Sequence, residues 1–266
     1  VAVKSIQKGD SVGWGYQHNS CRDCRSCLTG RETLCPKREM YGAADLDQGS
    51  FGHYAVWNAG FVYKIPSSIS RALAAPLMCG GATVYSALAS FGARSQHRVG
   101  VVGIGGLGHL AIQFAAKMGC GVVVFSSSED KKEEAMRLGA TEFVVTKGVS
   151  ELAISAPIDH LLVCASVQPD WKLYLPIMAP GGTIYPLSVS GEDFRMPYMP
   201  LLSGELKIQG CVVAARQVHR DMLAFAALHN IVPLIEEFPM TVEGITECMD
   251  KLRRGEIRYR GVLVVE

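Results

Sequence analysis

The 266-residue chain carries no excess of charge of either sign: 26 Lys and Arg face 25 Asp and Glu, a formal net charge of +1. That excludes a protein gripping nucleic acid or a membrane surface through bulk electrostatics. An unbroken apolar run of the roughly 18 residues needed to cross a membrane is also missing. The most apolar stretch, Val99 to Ser126, is interrupted by His109, Gln113 and Lys117. The first residues include Lys4, Lys8 and Asp10 and no apolar core of a secretory leader. Repeats and low-complexity tracts are absent. What is present, 48% hydrophobic and 19% charged residues, is a globular composition, long enough for one large domain or two ordinary ones.

The nine cysteines are an odd number; four fall within fifteen residues and five are scattered. This suits a reducing, cytoplasmic setting with one metal site rather than a disulfide framework. Cys21, Cys24, Cys27 and Cys35 read C-x2-C-x2-C-x7-C. Such spacing lets four thiolates converge on one zinc ion, and a closed four-sulfur shell is structural, with no open position for chemistry. An iron–sulfur cluster is the sharper rival, since Cys35-Pro36 follows two C-x2-C steps, but that motif has three residues before its last cysteine and here there are seven. His18 reads as a surface-loop histidine beside a shell already complete.

The chain opens at Val1 into an expected strand, and its first ninety residues hold short strands and close turns such as Lys8-Gly9-Asp10, Asp47-Gln48-Gly49 and Pro66-Ser67-Ser68, as a small β domain does. Then strands and helices alternate. Val99–Ile104 precedes a helical face of Leu107, Leu110, Ala111, Phe114, Ala115 and Met118. A strand at Val122–Phe125 leads into a helix expected to begin at Ser127-Ser128-Glu129-Asp130 and close at Gly139. Strands at 142–145, 160–165, 183–187 and 208–214 follow. This alternation predicts an α/β fold with a parallel sheet. From about Gln217 the rhythm stops, and a tail with a helix at 222–228, a strand near Leu234, a helix to Arg254 and a strand at 259–265 is expected to return to the first domain. The predicted division is 1–80, 81–215 and 216–266.

Gly103-Ile104-Gly105-Gly106-Leu107-Gly108 is G-x-G-x-x-G between a strand and a helix. Gly103 permits the turn, Gly105 a close approach of a pyrophosphate, and Gly108 close packing of helix on strand; phosphates then meet N–H groups at the helix N-terminus. At the end of the second strand, where NAD sites place an acid for the ribose, stand Ser126, Ser127 and Ser128, then Lys131 and Lys132. Hydroxyls and a lysine suit the 2′-phosphate of NADP. NAD is the alternative, since Glu129 or Asp130 could turn back to the ribose; both are expected instead in the first helical turn, where acids favour the dipole.

Several motifs in order resemble the zinc-dependent medium-chain alcohol dehydrogenases, most nearly the cinnamyl alcohol dehydrogenase-like subgroup. They are the turn before Val12-Gly13, the four-cysteine lobe, Phe61-Val62-Tyr63-Lys64-Ile65-Pro66, Ala75-Pro76-Leu77-Met78-Cys79-Gly80-Gly81-Ala82-Thr83, the glycine fingerprint and Arg258-Tyr259-Arg260. The resemblance covers essentially the whole chain. It implies a Rossmann domain inserted into a GroES-like β-barrel catalytic domain, a homodimer, and NADP(H)-dependent interconversion of primary alcohols and aldehydes. It also implies that Cys79 is a ligand of a catalytic zinc, that Thr83 lies near the nicotinamide, and that Leu187 and Val189 lie beside the reactive ring. From the residues alone, Cys79 precedes a helix at Ala82–Ala89 whose N-terminus favours a thiolate. The family's other ligands, a cysteine and a Gly-His-Glu motif, would precede Val1, and no Cys/His pair here replaces them. His53 and His97 depart from the family pattern at turns. The expectation is therefore an N-terminally incomplete chain that binds the dinucleotide and turns over no alcohol, the proton-relay residue being unknown and, like the missing ligands, expected before Val1. A non-catalytic NADP(H)-binding relative and a zinc-free quinone or enone reductase are the alternatives; the cysteine lobe speaks against the second.

Overall fold

A computed structural model describes residues 6–47 and 49–265; the strand expected at Val1 and the centre of the Asp47-Gln48-Gly49 turn lie outside them. The strands are β1 Val12–Trp14, β2 Gln17–Asn19, β3 Glu39–Met40, β4 Val62–Lys64, β5 Arg98–Val102, β6 Gly121–Ser126, β7 Glu142–Val145, β8 Ile158–Val163, β9 Met178–Pro186, β10 Lys207–Ile208, β11 Ile235–Pro239 and β12 Arg260–Val264. The α-helices are α1 Arg25–Leu28, α2 Arg71–Pro76, α3 Ala82–Ala89, α4 Gly108–Lys117, α5 Lys132–Arg137, α6 Trp171–Tyr174, α7 Tyr198–Ser203, α8 Arg216–His229 and α9 Val242–Arg253. The chain forms two compact units, Thr83–Cys211 and Val1–Ala82 with Val212–Glu266.

In the unit Thr83–Cys211, six parallel strands run β10-β9-β8-β5-β6-β7. Starting from β7, each strand steps inward to β5, the earliest in the chain, and then outward through β8, β9 and β10. This is the doubly wound Rossmann order, with its reversal between β5 and β8. The central strands are apolar on both faces because helices cover both. Val99, Val101, Val123, Leu161 and Ile184 are fully buried, each side chain contributing about 2 kcal/mol.

Several elements differ from expectation: α8 starts at Arg216 and β9 at Met178, earlier than the expected 222 and 183, and two others differ for a visible reason. The helix after β6 begins at Lys132, not at Ser127. Residues 127–131 form a turn in which Ser128 Oγ donates to Asp130 Oδ2 at 3.0 Å, a local bond that competes with helix. The strand expected over 208–214 stops at Ile208; Val213 has φ +47, a left-handed conformation outside the strand region.

The other unit has short pairings: β1 with β4 and β2 with β3 antiparallel, and β11 with β12 parallel. The helical run Arg71–Ala89 is long and apolar enough to cross a membrane by length and composition, but 67% of its apolar window is buried inside the protein, the position of a core helix. Between β3 and β4, Phe51, Tyr54 and Val56 are exposed. His18, expected on the surface, is buried in β2 instead, its ring edge-on to Trp57 at 5.4 Å.

α8 begins without a side-chain cap from Ala215. Glu32 supplies one from the lobe: its Oε1 accepts from Arg216 N at 2.7 Å and Arg216 Nε at 2.8 Å. A carboxylate at a helix N-terminus answers both unpaired N–H groups and the dipole. Glu32 is almost wholly buried. Burial alone would raise its carboxyl, yet the Arg216 donors hold it below its ordinary value.

Replacing Glu32 with Ala should cost roughly 1.5–3 kcal/mol, the usual range for bonds to a charged group, read as a lower urea midpoint at pH 7. Because the folded-state pKa is depressed, this contribution is complete above the ordinary value of 4.5 and disappears as pH falls through the folded value. Wild-type and Glu32→Ala midpoints should therefore converge in acid. Equal midpoints at pH 7 would contradict the role given to Glu32.

Candidate functional site

Sheet order places a crevice at the carboxyl ends of β5, β6 and β8, where doubly wound sheets bind ligands. Gly103 leaves β5 with φ +88, and a Cβ there would lie 3.1 Å from Ala165 Cβ. At Gly108 a Cβ would collide with the carbonyl oxygen of Gly103, so only glycine lets α4 start this close to β5. Gly105 differs, with nothing within 4 Å of a built Cβ. Its bare backbone opens onto space a phosphate can enter. Gly106 and Leu107 complete the turn, and no side chain caps α4 at Leu107.

A cavity of about 460 Å³ adjoins this turn, lined by Gly103, Ser126, Ser127, Lys131, Gln168 and Asp170 among others. Lys131 Nζ donates to the Ile104 carbonyl at 2.9 Å, which holds its ammonium against the glycine turn. Thr146 Oγ1 donates to Ser126 O at 3.2 Å and fixes the strand end. Asp170 is the sole carboxylate in the lining; its Oδ1 accepts from Lys172 N at 3.0 Å as the N-cap of α6. Glu129 and Asp130 precede α5 instead of entering its first turn, where the acids are Glu133 and Glu134. Neither lines the cavity, and Glu129 pairs with Lys132 at 3.2 Å.

Of the residues expected on the dinucleotide, Gly103, Ser126, Ser127 and Lys131 share this cavity. Ser128 is turned to Asp130, Leu187 is buried at the end of β9, Val189 is fully exposed, and Thr83 is buried in α3. Sequence reasoning passed over Thr146, Ala165, Gln168 and Tyr174, which also line it. The signal was their position: each lies at or just beyond the carboxyl end of a strand, or on the helix that follows.

In the lobe, the Sγ atoms of Cys21, Cys24, Cys27 and Cys35 lie within 4.8 Å of one another. Neighbouring sulfurs are 3.5 Å apart for Cys35 and Cys21, 3.6 Å for Cys24 and Cys27, and 3.8 Å for Cys21 and Cys27. A tetrahedron of sulfurs about 2.3 Å from zinc has edges of about 3.8 Å, so these residues fit the ion. Backbone N–H groups of Cys24 and Lys37 point at Cys21 Sγ and Cys35 Sγ, each at 3.3 Å. The backbone N–H groups of Asp23 and Cys24 lower the Cys21 thiol to about 6. Donors of this kind favour thiolates.

Cys79 sits in a π-helical turn, Leu77–Gly81, lying between α2 and α3. No open helix N-terminus serves its thiol, contrary to the sequence reading. Burial pushes the thiol up, and Arg260 opposes that shift. The Met78 carbonyl beside it lies 3.2 Å from His219 Nε2. The His219 ring is buried and stacks on Tyr63 with centroids 4.6 Å apart and planes at 4°. Gly15 makes room, since a Cβ there would lie 2.9 Å from His219 Nε2. No sequence signal marked His219. Among the described residues, the four lobe cysteines are the group of three or more that could hold an ion, and Cys79 is not in it.

Residues 1–67 match the alcohol dehydrogenase GroES-like domain and residues 106–227 the zinc-binding dehydrogenase family. The chain is 34% identical over 262 residues to an aldehyde reductase of Synechocystis, covering 98% of this chain and 77% of that protein. The chain belongs to the zinc-type medium-chain alcohol dehydrogenase family. This oxidoreductase family also includes cinnamyl alcohol dehydrogenase 7 of Arabidopsis thaliana, 33% identical over 99% of this chain and 75% of that one. Among solved structures of the family, a cinnamyl alcohol dehydrogenase of Sorghum bicolor superimposes with a TM-score of 0.88 at 31% identity, covering 97% and 76% of the two chains. A Helicobacter pylori cinnamyl alcohol dehydrogenase complexed with NADP(H) gives 0.83 at 26%, covering 99% and 76%. The GroES-like and Rossmann expectations are both met.

The two glycines separate stability from binding. Gly108→Ala should destabilise the protein by roughly 1–3 kcal/mol through overpacking. Gly105→Ala should leave the melting temperature unchanged and weaken dinucleotide binding. Thermal denaturation of both variants, with and without cofactor, checks this; equal melting losses would contradict it.

Proposed function

We propose that this chain holds NADP(H) in the crevice beside β5 and β6 and is the cofactor-holding part of an NADP(H)-dependent zinc alcohol dehydrogenase for primary alcohols and aldehydes, aryl, allylic or aliphatic, while itself lacking most of the catalytic zinc ligands. The observation carrying the cofactor assignment is the cavity wall. Ser126, Ser127 and Lys131 line it together, and Glu129 and Asp130 do not. Two hydroxyls and an ammonium recognise a 2′-phosphate, whereas an acid at that place would repel it. The NADP(H) complex of the Helicobacter pylori relative supports this choice. The alcohol and aldehyde chemistry rests on the relatives.

When bound, the dinucleotide supplies the hydride. The chain's residues would position it: the Gly105 backbone leaves space for the pyrophosphate, Lys131 brings positive charge to the glycine turn, and Ser126 and Ser127 line the cavity that would take the adenosine ribose. Cys21, Cys24, Cys27 and Cys35 would hold a structural zinc, which cross-links the lobe. For a catalytic zinc, three protein ligands are required. Cys79 would be one, but the described residues do not assemble three with it. The cysteine usage, four clustered in the lobe and five scattered singly, supports a reducing, cytoplasmic setting.

The test is a fluorescence titration of the purified chain with NADPH and NADH, alongside metal analysis. NADPH should bind about tenfold or more tightly than NADH, a gap of about 1.4 kcal/mol, and Lys131→Met should narrow it. One zinc per chain, lost in Cys35→Ser, is expected, with no visible absorption band. Tighter binding of NADH would overturn the cofactor assignment, and a brown protein would overturn zinc. Aldehyde reduction with a second bound zinc would contradict the account of Cys79.

A homodimer is part of the same reading. β10 pairs with β9 and ends the sheet, and Ile208, Tyr198, Met199 and Leu202 nearby in sequence are exposed, the kind of edge a second copy covers. Sedimentation at micromolar concentration should show a dimer, and a monomer there would remove this proposal.

A further inference from the structure

Two loops meet beyond the sheet's carboxyl edge: residues 164–170 between β8 and α6, and residues 187–197 between β9 and α7. The first forms one wall of the 460 Å³ cavity, contributing Ala165, Val167, Gln168, Pro169 and Asp170. The second reaches none of that cavity, yet it is tied to the wall at two heights. At its root, Ser188 Oγ donates to the Ala165 carbonyl at 2.6 Å. Farther out, Gln168 Oε1 accepts from Arg195 N at 3.0 Å and Trp171 Nε1 at 3.4 Å. Gln168 Nε2 donates to the Asp193 carbonyl at 2.6 Å. With two N–H groups facing its oxygen and a carbonyl facing its nitrogen, the amide has one satisfying orientation. Between those two backbone ties, the Phe194 ring lies 5.3 Å from that of Trp171.

We infer that Gln168 is a positioning residue for the dinucleotide: its amide latches the 187–197 loop onto the wall of the adenosine cavity and holds that wall in its binding shape. This rests on the cofactor reading above and adds to it a residue outside the glycine turn and a loop outside the cavity lining. A loop wall left free would have to be ordered on binding, and that cost reduces affinity. The latch places the ordering in the free protein. Because the wall belongs to the cavity beside Ser126 and Ser127, it acts on the adenosine half of the cofactor.

The test uses adenosine 2′,5′-bisphosphate and NADPH as probes, and trypsin as a reporter of the loop, since Arg195 is exposed within it. Gln168→Met keeps the side chain's length and removes all three bonds. Phe194→Ala loosens the loop from a side chain that does not line the adenosine cavity. Both variants should speed cleavage after Arg195. Both should weaken the two probes by the same factor, about five- to tenfold for Gln168→Met, the scale of a lost hydrogen bond or two. Unchanged probe affinity in Gln168→Met, with the wild type binding normally, sinks the latch and leaves the cofactor reading standing. Weaker binding in Gln168→Met with normal binding in Phe194→Ala also sinks it, because Gln168 would then act by direct contact alone. If the wild type binds neither probe, the cofactor reading falls and the latch with it.

Discussion

The close contact between Gly108 and the Gly103 carbonyl sets the geometry of the whole crevice. Two backbones touch where any side chain would collide, so α4 starts immediately after β5 with its uncapped end toward the strand termini. Gly105 is then free to face open space, and Lys131 can reach the Ile104 carbonyl from the far side of the crevice. The order of the parallel strands fixes where the crevice falls, and the glycine contact fixes how near a phosphate can come.

Among the described residues, the other unit has three two-stranded sheets, and buried polar contacts tie its tail to its front. Its strands have two to five residues each. Glu32 joins the cysteine lobe to the start of α8, and His219 from the same helix joins it to the turn that carries Cys79. One helix of the tail thus ties down both the four-cysteine lobe and the turn of Cys79. Its two anchors are a buried carboxylate and a buried imidazole, groups whose burial costs free energy unless they are bonded as they are here.

Legibility in the sequence followed the range of the interactions. The glycine fingerprint, the lobe and the strand–helix alternation are local patterns, and the structure has the doubly wound sheet and the four converging sulfurs. The serine end of β6 was readable for the same reason. Errors came where two local preferences competed. Ser128 and Asp130 satisfied each other and delayed α5, and the left-handed Val213 keeps the far end of the expected 208–214 strand out of extended conformation. Gln168 and His219 were invisible because their partners lie up to 141 residues away in sequence, and no spacing rule reaches that far. Cys79 was found by its motif, but its surroundings were misjudged: a helical path that continues through the cysteine was not visible from Gly80 and Gly81.

The discontinuous unit has a bearing on how the chain is made. Its two stretches, Val1–Ala82 and Val212–Glu266, are separated by the entire unit Thr83–Cys211. A ribosome therefore finishes the sheet-forming segment before it delivers α8, so the nucleotide-binding half has all its partners while the nascent lobe still waits for Arg216 and His219. Domains fold as units during synthesis at about 5–20 residues per second, which over the roughly 180 residues from Cys35 to Arg216 leaves the lobe's thiols on the order of 10–40 seconds without the helix that anchors them. In that interval an early ion, or a chaperone, would be most valuable to the newborn chain.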